Sequence, residues 1–151
     1  MQQDNVLVFK FNEPITERNS FPVLAIEEKH TEVHVEFSER TYFNSVGIRD
    51  WMKWLSPIKK NHLVKLTLFN CPTSIINQIN LISDFLPSNA VVSSFFVQFI
   101  NPEGTETKAI LLKKDDVYIG GKVILPIVKD SKNQIMEVDV NHKFFKFLNK
   151  I

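Results

Sequence analysis

At 151 residues, with 44% hydrophobic and 23% charged residues and 13 phenylalanines, the chain has the size and apolar content for one domain with a sizeable core, which excludes global disorder. Eighteen basic against seventeen acidic residues leave a formal charge of +1 and no basic block to neutralise a row of phosphates, so nucleic acid is not an expected partner. The lone Cys71 excludes an intramolecular disulfide and a cysteine-only zinc site; "MQQDNVLVFK" lacks a signal-peptide layout and no apolar run approaches the roughly 20 residues of a spanning helix, so a cytoplasmic protein without a membrane partner is expected.

Residues 5–11 (NVLVFKF) and 31–37 (TEVHVEF) have the β-branched or alternating character of strands, and NEPITERNS breaks the first. In TYFNSVGIRDWMKWL (41–55), Ile48, Trp51, Met52 and Leu55 recur at helical spacing, with a stop predicted at Pro57. LVKLTLF (63–69) is apolar except at Lys65 and Thr67, which predicts a central strand buried on both faces. A second helix is predicted from Thr73 to Leu86, with Ile75, Ile79, Ile82 and Leu86 on one stripe, Ile76 and Phe85 beside it, and Pro87 as terminator. AVVSSFFVQFI (90–100) reads as a fourth strand. The alternation of strands and helices from 31 to 100 implies parallel pairing with right-handed crossovers, an α/β fold. Beyond it, TKAILLK, YIGGKVILPIV and QIMEVDV are strand-like runs of a small β appendage, in which Gly120 and Gly121 mark a hairpin turn or a bulge, and HKFFKFLNK closes the chain.

Ser45 follows a strand and a short connector and opens a helix, so its hydroxyl is placed to accept a backbone N–H two or three residues on. Capping does not exclude regulation. A helix N-terminus tolerates a phosphate, while a phosphoserine brings a charge of about −1.5 to −2 to a solvent-facing rim and obstructs a closely docked partner. Arg49 can pair a phosphate on Ser45 or a partner's carboxylate, or stay solvated. Trp51 belongs to the core stripe. Trp54 lies at its edge with Gly47 and Asp50, either as a partner anchor or packed within the molecule. His30 and His34 stand about 13 Å apart on a strand and cannot share one metal ion. Cys71 reads as a small apolar residue at a strand end, with no adjoining cation to stabilise a thiolate.

The turn Asn44-Ser45-Val46-Gly47-Ile48 between a strand and an amphipathic helix resembles that of the STAS domains of anti-sigma factor antagonists. In that family a strand runs into an Asp-Ser-Ser-Gly-Leu-like turn whose first serine is the phosphoacceptor. "FNSVGIRDW" and "NCPTSIINQINLISDFL" look most like a bacterial branch with an Asn-Ser-x-Gly turn, a following Trp and a later Cys-Pro. Longer members of that branch carry a zinc-ribbon-like tail with an "FxFL" segment, echoed here by Phe145, Phe147 and Leu148. Paired cysteines are absent, so the resemblance implies a degenerate, metal-free tail held by apolar packing. Asn44 stands where the best-known antagonists have aspartate, and Arg49 where they usually have glycine.

The resemblance implies a STAS-like mixed sheet with a β-α-β-α-β crossover core over 1–95 and a β-rich extension over 96–151. It further implies a non-enzymatic regulatory module that captures an anti-sigma factor, a serine kinase-like protein or another switch protein. Ser45 is then the phosphoacceptor candidate, and Asn44, Ser45, Gly47, Arg49, Asp50 and Trp54 are the partner-binding candidates. Neither cofactor nor metal nor catalytic residue is expected. Two alternatives stand beside it: an unmodified scaffold or adaptor subunit of a bacterial signalling complex, and a serine-dependent enzyme. The second lacks the glycine that a hydrolase elbow needs two residues before its serine, where Phe43 sits.

Overall fold

The structure, a computed structural model, describes residues 4–149; the first three residues of the N-terminal segment read above and the last two of the chain lie outside them. Four strands, β1 (Val6–Phe11), β2 (Glu32–Phe37), β3 (Lys65–Phe69) and β4 (Val91–Val92), form a sheet in the order β1-β2-β3-β4. Every pairing in it is parallel, where the STAS-like reading implied a mixed sheet. The pleat sorts the side chains: Val33, Val35, Phe37, Leu66, Leu68 and Val92 share one face in register and are buried. Across the sheet, Val8, Lys10, His34, Glu36, Lys65 and Phe69 remain partly or fully accessible. Lys65, Thr67 and Phe69 therefore do not lie beneath a second layer: β3 is interior to the sheet, yet only one of its faces is buried.

Between β2 and β3 run α1 (Ser45–Trp54) and α2 (Ser56–Lys60). Pro57 starts the second helix rather than ending the first, because proline fits the first turn, where no N–H is required. From α3 (Thr73–Leu81) the side chains of Ile75, Ile76 and Ile79 enter the core. This helix ends at Leu81, five residues short of the predicted Leu86, and the extended backbone at Ile82 lets Phe85 turn inward and stack on Trp51 at 5.8 Å. No helix of the described residues is long and apolar enough to cross a membrane.

The predicted fourth strand is two strands. After β4, the chain passes Ser93 and enters β5 (Ser94–Ile100), which pairs antiparallel with β6 (Thr107–Lys113) and, on its other side, with β9 (Glu137–Val138). Beside this change of sheet the neighbouring chain bends at Asn70. Its φ of 57° bends the chain beyond β3, and the Ser94 hydroxyl holds the bend by accepting from Asn70 N and donating to Asn70 Oδ1. Asparagine is among the few residues that occupy this left-handed region readily. After the short α4 (Lys114–Val117), β7 (Tyr118–Ile119) and β8 (Lys122–Val123) form a hairpin whose turn is Gly120-Gly121; with φ of 59° and 77° these supply the two positive angles of a tight hairpin turn.

The appendage is held at two ends by different forces. At one, the C-terminal 3₁₀ helix Phe144–Asn149 buries Phe144, Phe147 and Leu148, with Phe147 edge-on to Phe95 at 5.0 Å, and Asn80 Nδ2 donates to Phe144 O. At the other, a polar network joins the packing of the buried Val128 and Met136. Asn101 Oδ1 accepts from Thr105 N and Glu106 N, which fixes its amide so that Nδ2 faces Asp130 Oδ2 at 3.3 Å. Asp130 Oδ1 in turn accepts from Lys132 N and Gln134 N, and Glu106 accepts from Ser131 N and Oγ. Two turns are thus joined by a buried amide–carboxylate pair.

Desolvation pushes the Asp130 carboxyl up, but the N–H of Gln134, the Asn101 amide, the N–H of Lys132 and the Lys132 charge outweigh it, and the pKa lies below the ordinary value. A lowered native pKa stabilises the fold above the unfolded value of about 3.9, and that contribution is lost as pH falls through the native pKa. Asp130→Asn removes the titration and turns a donor toward the Asn101 donor. Its melting temperature should therefore fall below wild type at neutral pH, and the gap should narrow as the pH drops below about 4. Thermal melts across that range test this; a pH-independent gap would refute the assignment.

Candidate functional site

The N-terminus of α1 is built from three parts of the chain. β2 delivers residues 38–43, in which buried Thr41 and Phe43 alternate with half-exposed Tyr42. Ile15, in the connection between β1 and β2, crosses this connector: Ile15 N donates to Tyr42 O at 2.8 Å and Ile15 O accepts from Asn44 N. The helix begins beneath that crossing.

Asn44, not Ser45, caps it. In extended backbone conformation, Asn44 accepts the Gly47 N–H on Oδ1 at 2.8 Å and donates from Nδ2 to Glu17 Oε2 at 2.5 Å. Asparagine matches serine as a cap and has an additional donor, so the stabilisation of about 1 kcal/mol expected for a Ser45 cap belongs to Asn44. Ser45 becomes the first helical residue, exposed, and its hydroxyl makes no hydrogen bond among the described residues. It is not covered by the C-terminal β segments.

Glu17 is the group the sequence reading missed. The Asn44 amide, and then its own backbone N–H, hold the Glu17 carboxyl below the usual range. Its negative charge sits beside the positive end of α1. Through its amide, Asn44 brings a carboxylate to this turn from 27 residues away in sequence. Thr16, Glu17, Arg18, Asn19, Tyr42 and Asn44 line a hollow of about 370 Å³ next to Ser45. No local signal marks Glu17. Tyr42 was legible, since alternation between the inward Thr41 and Phe43 leaves it facing out.

The other candidates divide. Arg49 and Asp50 lie on the accessible side of α1, with Arg49 Nε 3.6 Å from Asp50 Oδ1. Gly47 is buried, so it offers no surface to a partner; it is there because Ile15 passes over it. Trp54 is likewise occupied within the molecule. Its ring meets Phe9 edge-on at 5.0 Å and stacks on Phe21 at 5.4 Å, and Nε1 donates to Pro22 O at 2.7 Å, pinning the long β1–β2 connection.

Histidines and the cysteine lie elsewhere. His30 Nδ1 accepts from Glu27 N, while His34 Nε2 meets Glu32 Oε2 at 2.9 Å on the open face of the sheet. Cys71 is fully buried at the end of β3, and burial pushes its thiol pKa far up. Among the described residues no three His, Cys, Asp or Glu side chains cluster as metal ligands. No family model, no curated protein and no solved structure matches the chain.

Proposed function

We infer that the chain is a non-enzymatic protein-binding module, a partner switch of the anti-sigma factor antagonist kind, whose contact surface is the α1 N-terminus and whose control is phosphorylation of Ser45. The single observation carrying this is that Ser45 is exposed and its hydroxyl is uncommitted, because Asn44 performs the capping. Modification there leaves the cap intact and meets the positive end of the helix, so the fold survives while the surface charge changes sharply.

Recovery of the partner from native lysate, with intact-mass measurement of the protein recovered, supplies the materials for the test. Ser45→Ala should change stability by less than about 0.5 kcal/mol, since no native bond is lost, and should abolish phosphate incorporation. Ser45→Asp should keep or slightly raise helix stability and weaken partner binding. Equal partner affinity for wild type and both variants would defeat the switch and leave the scaffold reading in its place.

A further inference from the structure

Charge in this chain is not spread evenly. Residues 45–60 hold Arg49, Lys53, Lys59 and Lys60 against Asp50 alone, four cations and one acid, so this segment has a formal +3 in a chain whose total is +1. The remaining residues therefore sum to a small negative charge. On α1 these cations form a file: Ser45, Arg49 and Lys53 recur every four residues, all are exposed, and they lie one above another on the helix surface. Beside the file is a shallow hollow of about 560 Å³ lined by Arg49, Met52, Lys53, Ser56 and Lys59, with the half-buried Met52 as its apolar part.

Little within the molecule satisfies these charges. Arg49 has only its neighbour Asp50, in an exposed pair of the kind worth at most about 1 kcal/mol. Lys59 Nζ donates to Asp84 O. Lys53 makes no ion pair among the described residues. A methionine in a cationic rim is a common way to receive an apolar side chain flanked by carboxylates, because its thioether adapts to the shape presented.

We propose that the α1–α2 surface docks an acidic amphipathic helix of a protein partner, its carboxylates on Arg49 and Lys53 and an apolar side chain against Met52. This deepens the switch reading and rests on it for the role of Ser45. A phosphate there stands four residues before Arg49 and binds its guanidinium within the same helix, so modification withdraws a cation from the partner as well as adding repulsion.

The test uses the full chain and a synthetic amphipathic helical peptide with glutamates flanking a leucine stripe, beside an analogue with lysine for every glutamate. Expected are NMR shift changes confined to α1 and α2 with the acidic peptide, affinity falling with salt, and none of this with the basic analogue. Arg49→Gln with Lys53→Gln should weaken acidic-peptide binding by roughly 2- to 30-fold, the range for two exposed pairs, without altering the melting temperature. Ser45→Asp should weaken it too, and by a smaller factor in the Arg49→Gln background, where only the repulsion remains.

Equal binding of both peptides, or shifts mapping elsewhere, overturns the proposal. So does tighter binding to vesicles of phosphatidylcholine and phosphatidylglycerol, or to a DNA duplex, than to the acidic peptide. Charge-selective binding on α1–α2 in which Ser45→Ala and Ser45→Asp do not differ would uphold the docking surface and sink the switch. A cellular partner sensitive to Ser45 while both peptides bind alike would do the reverse.

Discussion

Gly47→Ala should unfold or severely destabilise the protein, although alanine is the better helix former. A Cβ placed on Gly47 would lie 1.9 Å from Ile15 O and 2.7 Å from Ile15 C, and both are backbone atoms that no rotamer change can move aside. Relief requires the Ile15 carbonyl to retreat by more than about 1 Å, since ordinary contacts begin near 3 Å or beyond. That retreat pulls at the bridge between Ile15 and Phe43, at the Ile15–Tyr42 hydrogen bond and at the buried Ile15 side chain. Against this, alanine gains at most about 1 kcal/mol over glycine in a helix, whereas overpacking costs typically 1–3 kcal/mol and more when backbone must shift. The clash therefore decides the sign. We expect a loss of at least about 3 kcal/mol in urea unfolding, and early hydrogen exchange at the Ile15 amide in whatever folded fraction remains. A Gly47→Ala protein as stable as wild type would mean that the crossing of Ile15 over α1 is wrong.

That glycine shows where the sequence was legible and where it was not. Its place in an Asn-Ser-x-Gly turn drew attention to the right corner of the molecule, because a serine, an asparagine and a glycine between a strand and an amphipathic helix are local signals with local causes. What demanded the glycine was a backbone atom 32 residues earlier, and no local pattern reports that. The same holds for Asn44, whose cap was predictable in kind but assigned to the wrong neighbour, and whose second hydrogen bond reaches Glu17.

Elements with strong periodicity were placed correctly: β1, β2, β3, α1 and the start of α3 lie where alternation or the helical stripe put them. Errors fell where long-range contacts overrode propensity. One apolar run became two strands, and the break falls where Ser94 is bonded to Asn70, 24 residues away in sequence, at the bend beyond β3. Burial of β3 on both faces failed because Lys65 and Thr67, which alternate with buried Leu66 and Leu68, mark one accessible face and are not mere interruptions of an apolar run.

Trp51→Ala should be the most damaging change in the core, with an expected cost of about 3–5 kcal/mol, a large fraction of the 5–15 kcal/mol typical of a whole domain. Trp51 is fully buried and its indole touches rings from every part of the helix-covered layer. Phe43 lies at 5.4 Å, Trp54 at 5.7 Å, and Phe37 and Phe85 both at 5.8 Å, while Phe11 and Phe21 stand farther out at 6.4 Å. These rings come from β1, the β1–β2 connection, β2, the connector before α1, α1 itself and the segment after α3, so one side chain ties together elements distant in sequence. Truncation opens a cavity that six rigid aromatic neighbours cannot collapse to fill, which places the cost toward the upper part of that range. Trp51→Phe separates the two contributions: it keeps most of the apolar volume but leaves Phe85 O, which accepts from Trp51 Nε1 at 3.0 Å, without its donor. A loss of about 1–3 kcal/mol is expected there, from the unsatisfied carbonyl and the smaller ring together. Trp54→Ala should cost less than Trp51→Ala, since Trp54 is half-buried and its loss frees the β1–β2 connection rather than emptying the core. Urea midpoints of the three variants give the order directly, and Trp54→Ala proving the costlier truncation would show that the β1–β2 connection, not the α1 seam, holds the sheet to its helices.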